Sequence, residues 1–215
     1  MAQWVPSPNH EPRVQPVKFI IIHGTWMDDD QAALARLCDP VAKVSCHYMI
    51  DRQGKLYQLV ADDQVAWHAG QSAWGLDTSL NAHSIGIEIG NSGETSGEAY
   101  NEAQYQTLET LLAELLKRHN LKPVAVLGHS DIAPHRKDDP GRHFNWQRLE
   151  AKGLAQPWPG NHELAADPVT TLRHFGYVGD DIAILTAFQR RYLPQHITGH
   201  LCPVTEAFIR QGCIG

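Results

Sequence analysis

The amino-acid sequence predicts an α/β protein, with a central mixed β-sheet flanked by helices and a small C-terminal three-helix domain. Short β-branched or alternating runs, which are typical of strands, are interspersed with amphipathic segments of helical spacing. A Pro-Trp-Pro-Gly sequence at residues 157–160 interrupts this pattern, and short helical segments follow it. We therefore predict two domains, at residues 1–160 and 161–215.

Composition and charge exclude several classes of protein. A chain of 215 residues, 42% hydrophobic and 20% charged, is long enough to form one sizeable core. The formal net charge of -6 and the lack of a basic stripe argue against a nucleic-acid binder. No apolar run reaches the roughly 18 residues that a membrane span requires. We expect a monomer.

The start of the chain leaves the cellular compartment open. Residues 1–6 lack the charged start and the apolar core of a signal peptide. If Met1 is the native start, we expect a cytoplasmic protein. If an export signal was removed, we expect a periplasmic or outer-membrane-associated protein.

The first part of the chain predicts a strand, a helix and a hairpin. The apolar run at residues 17–22 indicates a buried strand, and an acid-capped helix follows at residues 31–37. Alternating patterns at residues 45–50 and 55–60 indicate a hairpin, in which Gly54 suits the tight turn.

The middle of the chain predicts two more strands around the longest helix. Ser84–Ile89 alternates strictly, which places its isoleucines on one face and Glu88 on the opposite, open face. Leucines at helical spacing predict a helix over residues 102–119, with Asn101 as its N-cap. The brief β-branched run at residues 123–127 predicts a buried strand.

Short helices are predicted for the remainder. Asn145 can cap a helix that extends towards Leu154, before the break at residues 157–160. Beyond the break, helical segments are predicted at residues 167–176, 180–193 and 203–211.

Two predicted strands each deliver a histidine where the sheet gives way to loops. His23 follows the first strand and His129 follows the strand at residues 123–127. A hydrolytic zinc site needs about three nitrogen or oxygen ligands and an open position for water. Of the nearby aspartates, Asp139 precedes Pro140, which can turn its carboxylate back towards His129. The ligands are expected on loops.

Four segments resemble the zinc-dependent N-acetylmuramoyl-L-alanine amidases, in the family's order across residues 17–141. They are Ile21-Ile22-His23-Gly24-Thr25, the early hairpin at residues 45–54, Ser84–Ile89 and the segment at residues 128–141. The resemblance implies the amidase type 2 fold, which is also that of peptidoglycan-recognition proteins. It further implies Zn²⁺ bound by His23, His129 and Asp139, with Glu88 as general base and Lys137 as stabiliser of the transition state.

The resemblance also implies a substrate and a reaction. The family cleaves the amide bond between N-acetylmuramic acid and L-alanine in peptidoglycan or muropeptides, during cell-wall turnover and recycling. The C-terminal helices are similar to three-helix peptidoglycan-binding domains, as in the two-domain, AmiD-like enzymes. Two alternatives stay open: a non-catalytic peptidoglycan-recognition module, and a zinc peptidase that acts within the stem peptide.

Several polar and aromatic side chains are candidates for substrate contact, although core packing or turn capping would also explain them. The six candidates are His47, Trp67, His68, Trp74, Asn81 and Asn91. The cysteines allow a disulfide between Cys202 and Cys213, but four free thiols, including Cys38 and Cys46, are the favoured interpretation.

Overall fold

A computed structural model describes residues 2–160 and 167–212, and a mixed β-sheet lies at its centre. The strands are β1 (Gln3–Trp4), β2 (His10–Pro12), β3 (Phe19–Gly24), β4 (Tyr48–Ile50), β5 (Leu56–Gln58), β6 (Gln64–Ala66), β7 (Ala73–Trp74), β8 (Asp77–Thr78), β9 (Ser84–Ile89) and β10 (Val126–Gly128). The helices are α1 (Asp30–Leu37), α2 (Glu102–Arg118), α3 (His129–Ile132), α4 (Trp146–Ala151), α5 (Pro168–Phe175), α6 (Asp181–Tyr192) and α7 (Pro203–Gln211).

The main sheet has six strands in the order β1-β5-β4-β9-β3-β10. The four strands β4, β9, β3 and β10 run parallel to one another, whereas β4 and β5 are antiparallel. Two small antiparallel pairs, β2 with β6 and β7 with β8, lie outside this sheet. The predicted class, a mixed sheet with helices packed on it, is confirmed.

One face of the sheet is buried by α2 and α4. Isoleucines at alternate positions of β3 and β9, such as Ile22 and Ile87, pack against the leucines of α2 and against Trp146 of α4. The helix α2 begins with a capping box, in which Asn101 and Gln104 exchange side-chain and backbone hydrogen bonds. Its apolar stripe and cap are those that the sequence predicts.

The opposite face is covered in two places and left open between them. At one end, α1 packs on Met49 and Tyr57. At the other end, the helices α5, α6 and α7 pack on Ile21 and Leu127. The gap between the two covered regions lies over the ends of β3 and β9, where the alternation of side chains directs His23 and Glu88.

The hairpin and the last strand are shorter than predicted. The strand β4 begins at Tyr48 and ends at Ile50, where it was predicted to end, and β5 spans only Leu56–Gln58. In the turn between them, Oδ1 of Asp51 accepts from the N–H groups of Gln53 and Lys55. Residues Pro123–Ala125 form a 3-10 turn, since proline lacks the N–H that a strand would donate to its neighbour. The short strands β1, β2, β6, β7 and β8 were not predicted, because two or three residues give no periodicity.

His129 lies in a short helix and not in the predicted loop. The Gly128 N–H donates to Oδ2 of Asp131, and the Ala133 N–H donates to the His129 carbonyl oxygen. These bonds close one helical turn directly after β10.

The C-terminal helices share a core with the sheet. Trp158, in the predicted break between domains, is buried against Phe175, Phe188 and Tyr192. Residues 161–166, where the predicted boundary falls, lie outside the described residues, and the division into two domains stays a prediction. Across the parts of the chain that are described, no helix is both long and apolar enough to cross a membrane.

Cysteines are free thiols where the structure describes them. Cys46 is buried, while Cys38 and Cys202 are half-buried. The predicted alternative, a disulfide between Cys202 and Cys213, involves a residue outside the described ranges.

A buried ion pair joins α6 to the turn that carries His129. Nη1 of Arg191 lies 2.7 Å from Oδ2 of Asp131, and both side chains are almost fully buried. The Tyr177 hydroxyl donates to the other carboxylate oxygen at 2.9 Å. The guanidinium also stacks on Trp146, 4.1 Å from the ring centroid.

We expect Arg191→Met to lower the free energy of unfolding by about 3–5 kcal/mol, because it leaves the Asp131 carboxylate buried without its cation. Arg173→Met is the matched control, since Arg173 pairs with Asp181 at the same 2.7 Å but at an exposed site. It should cost at most about 1 kcal/mol. Urea unfolding monitored by circular dichroism measures both values. Equal losses in the two variants would contradict the role given to Arg191.

Candidate active site

Two neighbouring strands place a histidine and a carboxylate side by side. The parallel register of β3 and β9 pairs His23 with Glu88. Both residues alternate with isoleucines that face the α2 side of the sheet, so their own side chains face the open side. A candidate metal ligand and a candidate base therefore come from adjacent positions of neighbouring strands.

His129 and Asp139 approach from the segment that follows β10. Because β10 pairs with β3, His129 begins α3 next to the end of the strand that carries His23. The chain then folds back, and the Ser130 N–H donates to the Asp139 carbonyl oxygen at 2.9 Å. The peptide bond between Asp139 and Pro140 is cis. The carboxylate is returned to His129, as the sequence predicts.

Three ligand atoms converge in this buried site. Nδ1 of His23 lies 2.9 Å from Nδ1 of His129. Oδ2 of Asp139 lies 3.2 Å from the first nitrogen and 3.1 Å from the second. Lone pairs that face one another away from water need a cation between them. Two imidazole nitrogens and one carboxylate oxygen fit a divalent metal ion with an open coordination position.

The protonation states of the ligands suit metal binding. Burial, together with the neighbouring His129, lowers the pKa of His23 to about 4, which keeps its imidazole neutral near pH 7. Burial alone would favour the protonated acid of Asp139. Interactions with His129 and His23 overcome that effect and hold the pKa of the Asp139 carboxyl well below its usual range. The site therefore offers a neutral His23 imidazole and an ionised carboxylate.

Glu88 has the environment of a proton acceptor that is free to act. Its Oε2 atom is buried and has no hydrogen-bond partner within residues 2–160 and 167–212. Burial and, secondarily, the charge of Asp139 raise the pKa of Glu88 to about 8. A carboxyl group with a pKa near neutrality can both take up and release a proton during a reaction.

The ligands lie at the base of a cavity of about 460 Å³. Glu88 and Lys137 also line it, and the Lys137 ammonium group makes no hydrogen bond or ion pair within the described part of the chain. The remaining walls come from α1, the loop after β3 and the loop after β6, with side chains that include Ala33, Arg36, Leu37, Trp26, Trp67 and His68. The five residues that the resemblance implies are thus brought to one cavity.

The structure brings only two of the six predicted substrate contacts to this cavity. Trp67 and His68 line it. Trp74 is buried against Tyr177 in the core beside α5 and α6. His47 is fully buried, where its Nδ1 accepts from the Gly86 N–H.

The two asparagines hold backbone in place. Oδ1 of Asn81 accepts from the N–H groups of His68 and Ala69, at 3.1 and 2.7 Å. Asn91 is buried and bridges Gly93 and Glu98. Neither asparagine is among the residues that line the cavity.

Trp26 lines the cavity but was missed from the sequence. Its side chain is 37% exposed, and its indole lies over Gly24, where a Cβ atom would come within 3.0 Å of it. Its φ of 49° is in the left-handed region, which is strained for a bulky residue and is found at functional sites. The sequence signal was available, because Trp26 follows His23 by three positions in a glycine-containing loop.

Comparison with known proteins identifies the family. A family model described as N-acetylmuramoyl-L-alanine amidase matches residues 13–142, which include all of the residues discussed as ligands, base and stabiliser. The N-acetylmuramoyl-L-alanine amidase AmiD of Escherichia coli K12 is 36% identical, covering 89% of this chain and 80% of its own length. The chain belongs to the N-acetylmuramoyl-L-alanine amidase family.

Solved structures agree with this assignment. AmiD from E. coli, in complex with the substrate anhydro-N-acetylmuramic acid-L-Ala-D-gamma-Glu-L-Lys, superposes with a TM-score of 0.78 at 30% identity, covering 93% of this chain and 90% of AmiD. AmpDH3 from Pseudomonas aeruginosa gives a TM-score of 0.81 at 28% identity, covering 91% and 90%. The predicted fold and enzyme class, an amide hydrolase of the amidase family, are confirmed.

We expect Asp139→Asn to weaken binding of a divalent metal more than about 100-fold, since loss of an anionic ligand should exceed the 10- to 100-fold cost of losing an outer contact. Asp181→Asn is the matched control, because Asp181 is an exposed aspartate whose partner is Arg173, and neither helix of this pair carries a candidate ligand. Competition with a chromophoric chelator measures both affinities. Similar affinities in the two variants would exclude Asp139 as a ligand.

Proposed function

We propose that this chain hydrolyses the amide bond between the lactyl group of N-acetylmuramic acid and L-alanine in peptidoglycan fragments. The metal in this proposal is Zn²⁺, held by His23, His129 and Asp139. The observation that carries the proposal is the convergence of the three ligand atoms beside Glu88 and Lys137 in one cavity. Such a site has the components of metal-assisted amide hydrolysis: metal ligands, a general base and a cation to stabilise the oxyanion.

Zinc bound by two imidazoles and a carboxylate supplies a Lewis acid for the scissile carbonyl and makes water a better nucleophile at neutral pH. The chain's own residues supply the remaining steps. Glu88 accepts a proton from the attacking water, because its Oε2 has no hydrogen-bond partner among the described residues and Glu88 pairs with His23 in the register of β3 and β9. The same carboxyl group then donates that proton to the amine of L-alanine as the amide bond breaks.

Lys137 stabilises the developing negative charge in this proposal. It lines the cavity two residues before the ligand Asp139, so that its ammonium group reaches the cavity without replacing a ligand. Three donors on a flexible stem can follow the carbonyl oxygen as it becomes an oxyanion.

The preferred substrate in this proposal is a 1,6-anhydro-muropeptide. The structures of AmiD and AmpDH3 contain an anhydro-muramyl tripeptide and an anhydromuramic pentapeptide, respectively. A cavity of about 460 Å³ has room for the lactyl–alanine junction of such a fragment. The half-exposed indole of Trp26 at its wall suits the apolar face of a sugar ring.

Two other functions make different products. A non-catalytic recognition module would bind the muropeptide and leave it intact. A zinc peptidase would release amino acids from the stem and leave L-alanine attached to the sugar. Mass spectrometry after incubation with one anhydro-muramyl tripeptide should show the free sugar and the intact tripeptide. Any other product pattern would sink the amidase proposal for this chain.

Glu88→Gln should retain zinc but slow the release of tripeptide by roughly 10²- to 10⁴-fold, because amide nitrogen and oxygen cannot accept the proton. Glu114→Gln, at an exposed position on α2, should cleave at the parent rate. Initial rates on the same tripeptide substrate, with zinc content determined in parallel, measure the effect. Near-parental turnover in Glu88→Gln would require another base.

A further inference from the structure

One loop contacts both metal-site histidines on the ring edges that face away from the ligand atoms. Nε2 of His23 lies 3.0 Å from Nδ1 of His68. Nε2 of His129 lies 3.2 Å from the carbonyl oxygen of Ala69. Residues 67–70, here called the histidine loop, therefore touch the second nitrogen of each imidazole. A neutral imidazole carries one proton, so these contacts decide which nitrogen keeps a lone pair for the metal.

For His129, one contact identifies the ring nitrogen that carries the proton. A carbonyl oxygen can only accept a hydrogen bond, so the contact with Ala69 requires a proton on Nε2 of His129. Its Nδ1 then has a free lone pair. This is the atom that faces Nδ1 of His23 and Oδ2 of Asp139.

For His23, the protonated ring nitrogen follows from the hydrogen bonds of two further side chains, Ser84 and His68. The Ser84 hydroxyl lies 2.6 Å from the Leu80 carbonyl oxygen, so it must donate its only proton there. Its oxygen can then only accept from Nε2 of His68, which lies 3.2 Å away.

The proton on Nε2 of His68 leaves the lone pair on its Nδ1. The contact of that atom with His23 is therefore a hydrogen bond donated by Nε2 of His23. Nδ1 of His23 is left unprotonated and available to a metal. The orientation begins at a backbone carbonyl and is passed through Ser84 and His68 to the ligand.

Surrounding contacts hold the histidine loop and the His68 ring in place. Asn81 accepts from two consecutive N–H groups of the histidine loop, at His68 and Ala69. The His68 ring packs so closely on β9 that a Cβ atom at Gly86 would lie 2.4 Å from its Cγ. Only glycine at that position leaves room for the ring. His68 is 9% exposed, and each of its nitrogens already has a partner.

We propose that His68 is a positioning residue that, through its contact with Ser84, sets the ring orientation and the tautomer of His23 for metal binding. This inference rests on the metal site of the proposed function. The substrate contact predicted for His68 stays a prediction, and a hydrogen bond from substrate to the ring would have to replace one of its two present hydrogen bonds. The Ala69 carbonyl oxygen sets the tautomer of His129, as the His68 ring sets that of His23.

Zinc affinity tests the proposal without reference to catalysis. Ser84→Ala should weaken zinc binding by roughly 10- to 100-fold, the usual cost of losing a contact behind a ligand. Ser7→Ala is the matched control. Ser7 is also a buried serine: its hydroxyl donates to the Leu37 carbonyl oxygen at 2.6 Å and accepts from the Asn9 N–H at 3.2 Å. Neither hydrogen bond involves His68. Competition against a chromophoric chelator, with melting temperatures of the metal-free proteins, separates affinity from stability.

Two substitutions of His68 test whether zinc affinity is lost with its acceptor atom and partly recovered when an acceptor is restored. His68→Phe keeps a ring in the space beside Gly86 but removes the acceptor, so it should lose at least as much zinc affinity as Ser84→Ala. His68→Asn can place its Oδ1 close to the lost Nδ1 and should recover part of the affinity. Equal affinities for the asparagine and phenylalanine variants, or a Ser84→Ala loss no larger than that of Ser7→Ala, would overturn the proposal.

The tautomer can also be observed directly. Long-range ¹H–¹⁵N spectra of the metal-free parent protein at neutral pH should show a proton on Nε2 of His23. In Ser84→Ala the population with that proton should fall. A parent protein in which Nε2 of His23 is unprotonated would overturn the proposal. If zinc affinity responds as expected but no muropeptide is cleaved, the proposed function fails and the positioning role stands.

Discussion

A buried carboxylate, Asp139, lies within 3.2 Å of two imidazole nitrogens, and the surrounding structure serves to keep those three groups together. An ionised carboxylate buried without a partner is very unfavourable. Burial lowers the pKa of His23 to about 4, which keeps its imidazole neutral near pH 7. A neutral imidazole cannot compensate the charge of the carboxylate. A divalent metal ion held by the three groups would satisfy the charge and the lone pairs together.

The C-terminal helices contribute to this arrangement through two consecutive arginines of α6. Arg191 binds Asp131, two residues after His129, and Arg190 binds Asp138, one residue before Asp139. The segment that carries the candidate ligands His129 and Asp139 is thus held to α6 by an ion pair close to each of them. Helices that sequence patterns assign to a separate binding domain also support the active site from behind.

The sequence predicted the sheet, the long helix and the convergence of His23, His129 and Asp139, because each leaves a periodic or local signal. Alternation along Ser84–Ile89 predicted that Glu88 faces the open side, and the structure agrees. The short helix at His129 has no such signal, because Asp131 forms it through one side-chain bond. The positioning role of the histidine loop could not be predicted from the sequence either. Its role depends on contacts between Ser84 and His68 that lie sixteen positions apart.

X-ray absorption at the zinc edge of the zinc-loaded protein tests the central claim most directly, because it reports the donor atoms of the bound ion. The structure predicts two imidazole nitrogens and one carboxylate oxygen at about 2.0–2.2 Å, with a light atom in the remaining position. Multiple scattering should require two imidazole rings. A sulfur donor at about 2.3 Å, or a spectrum that fits with fewer than two imidazoles, would contradict the site described for His23, His129 and Asp139.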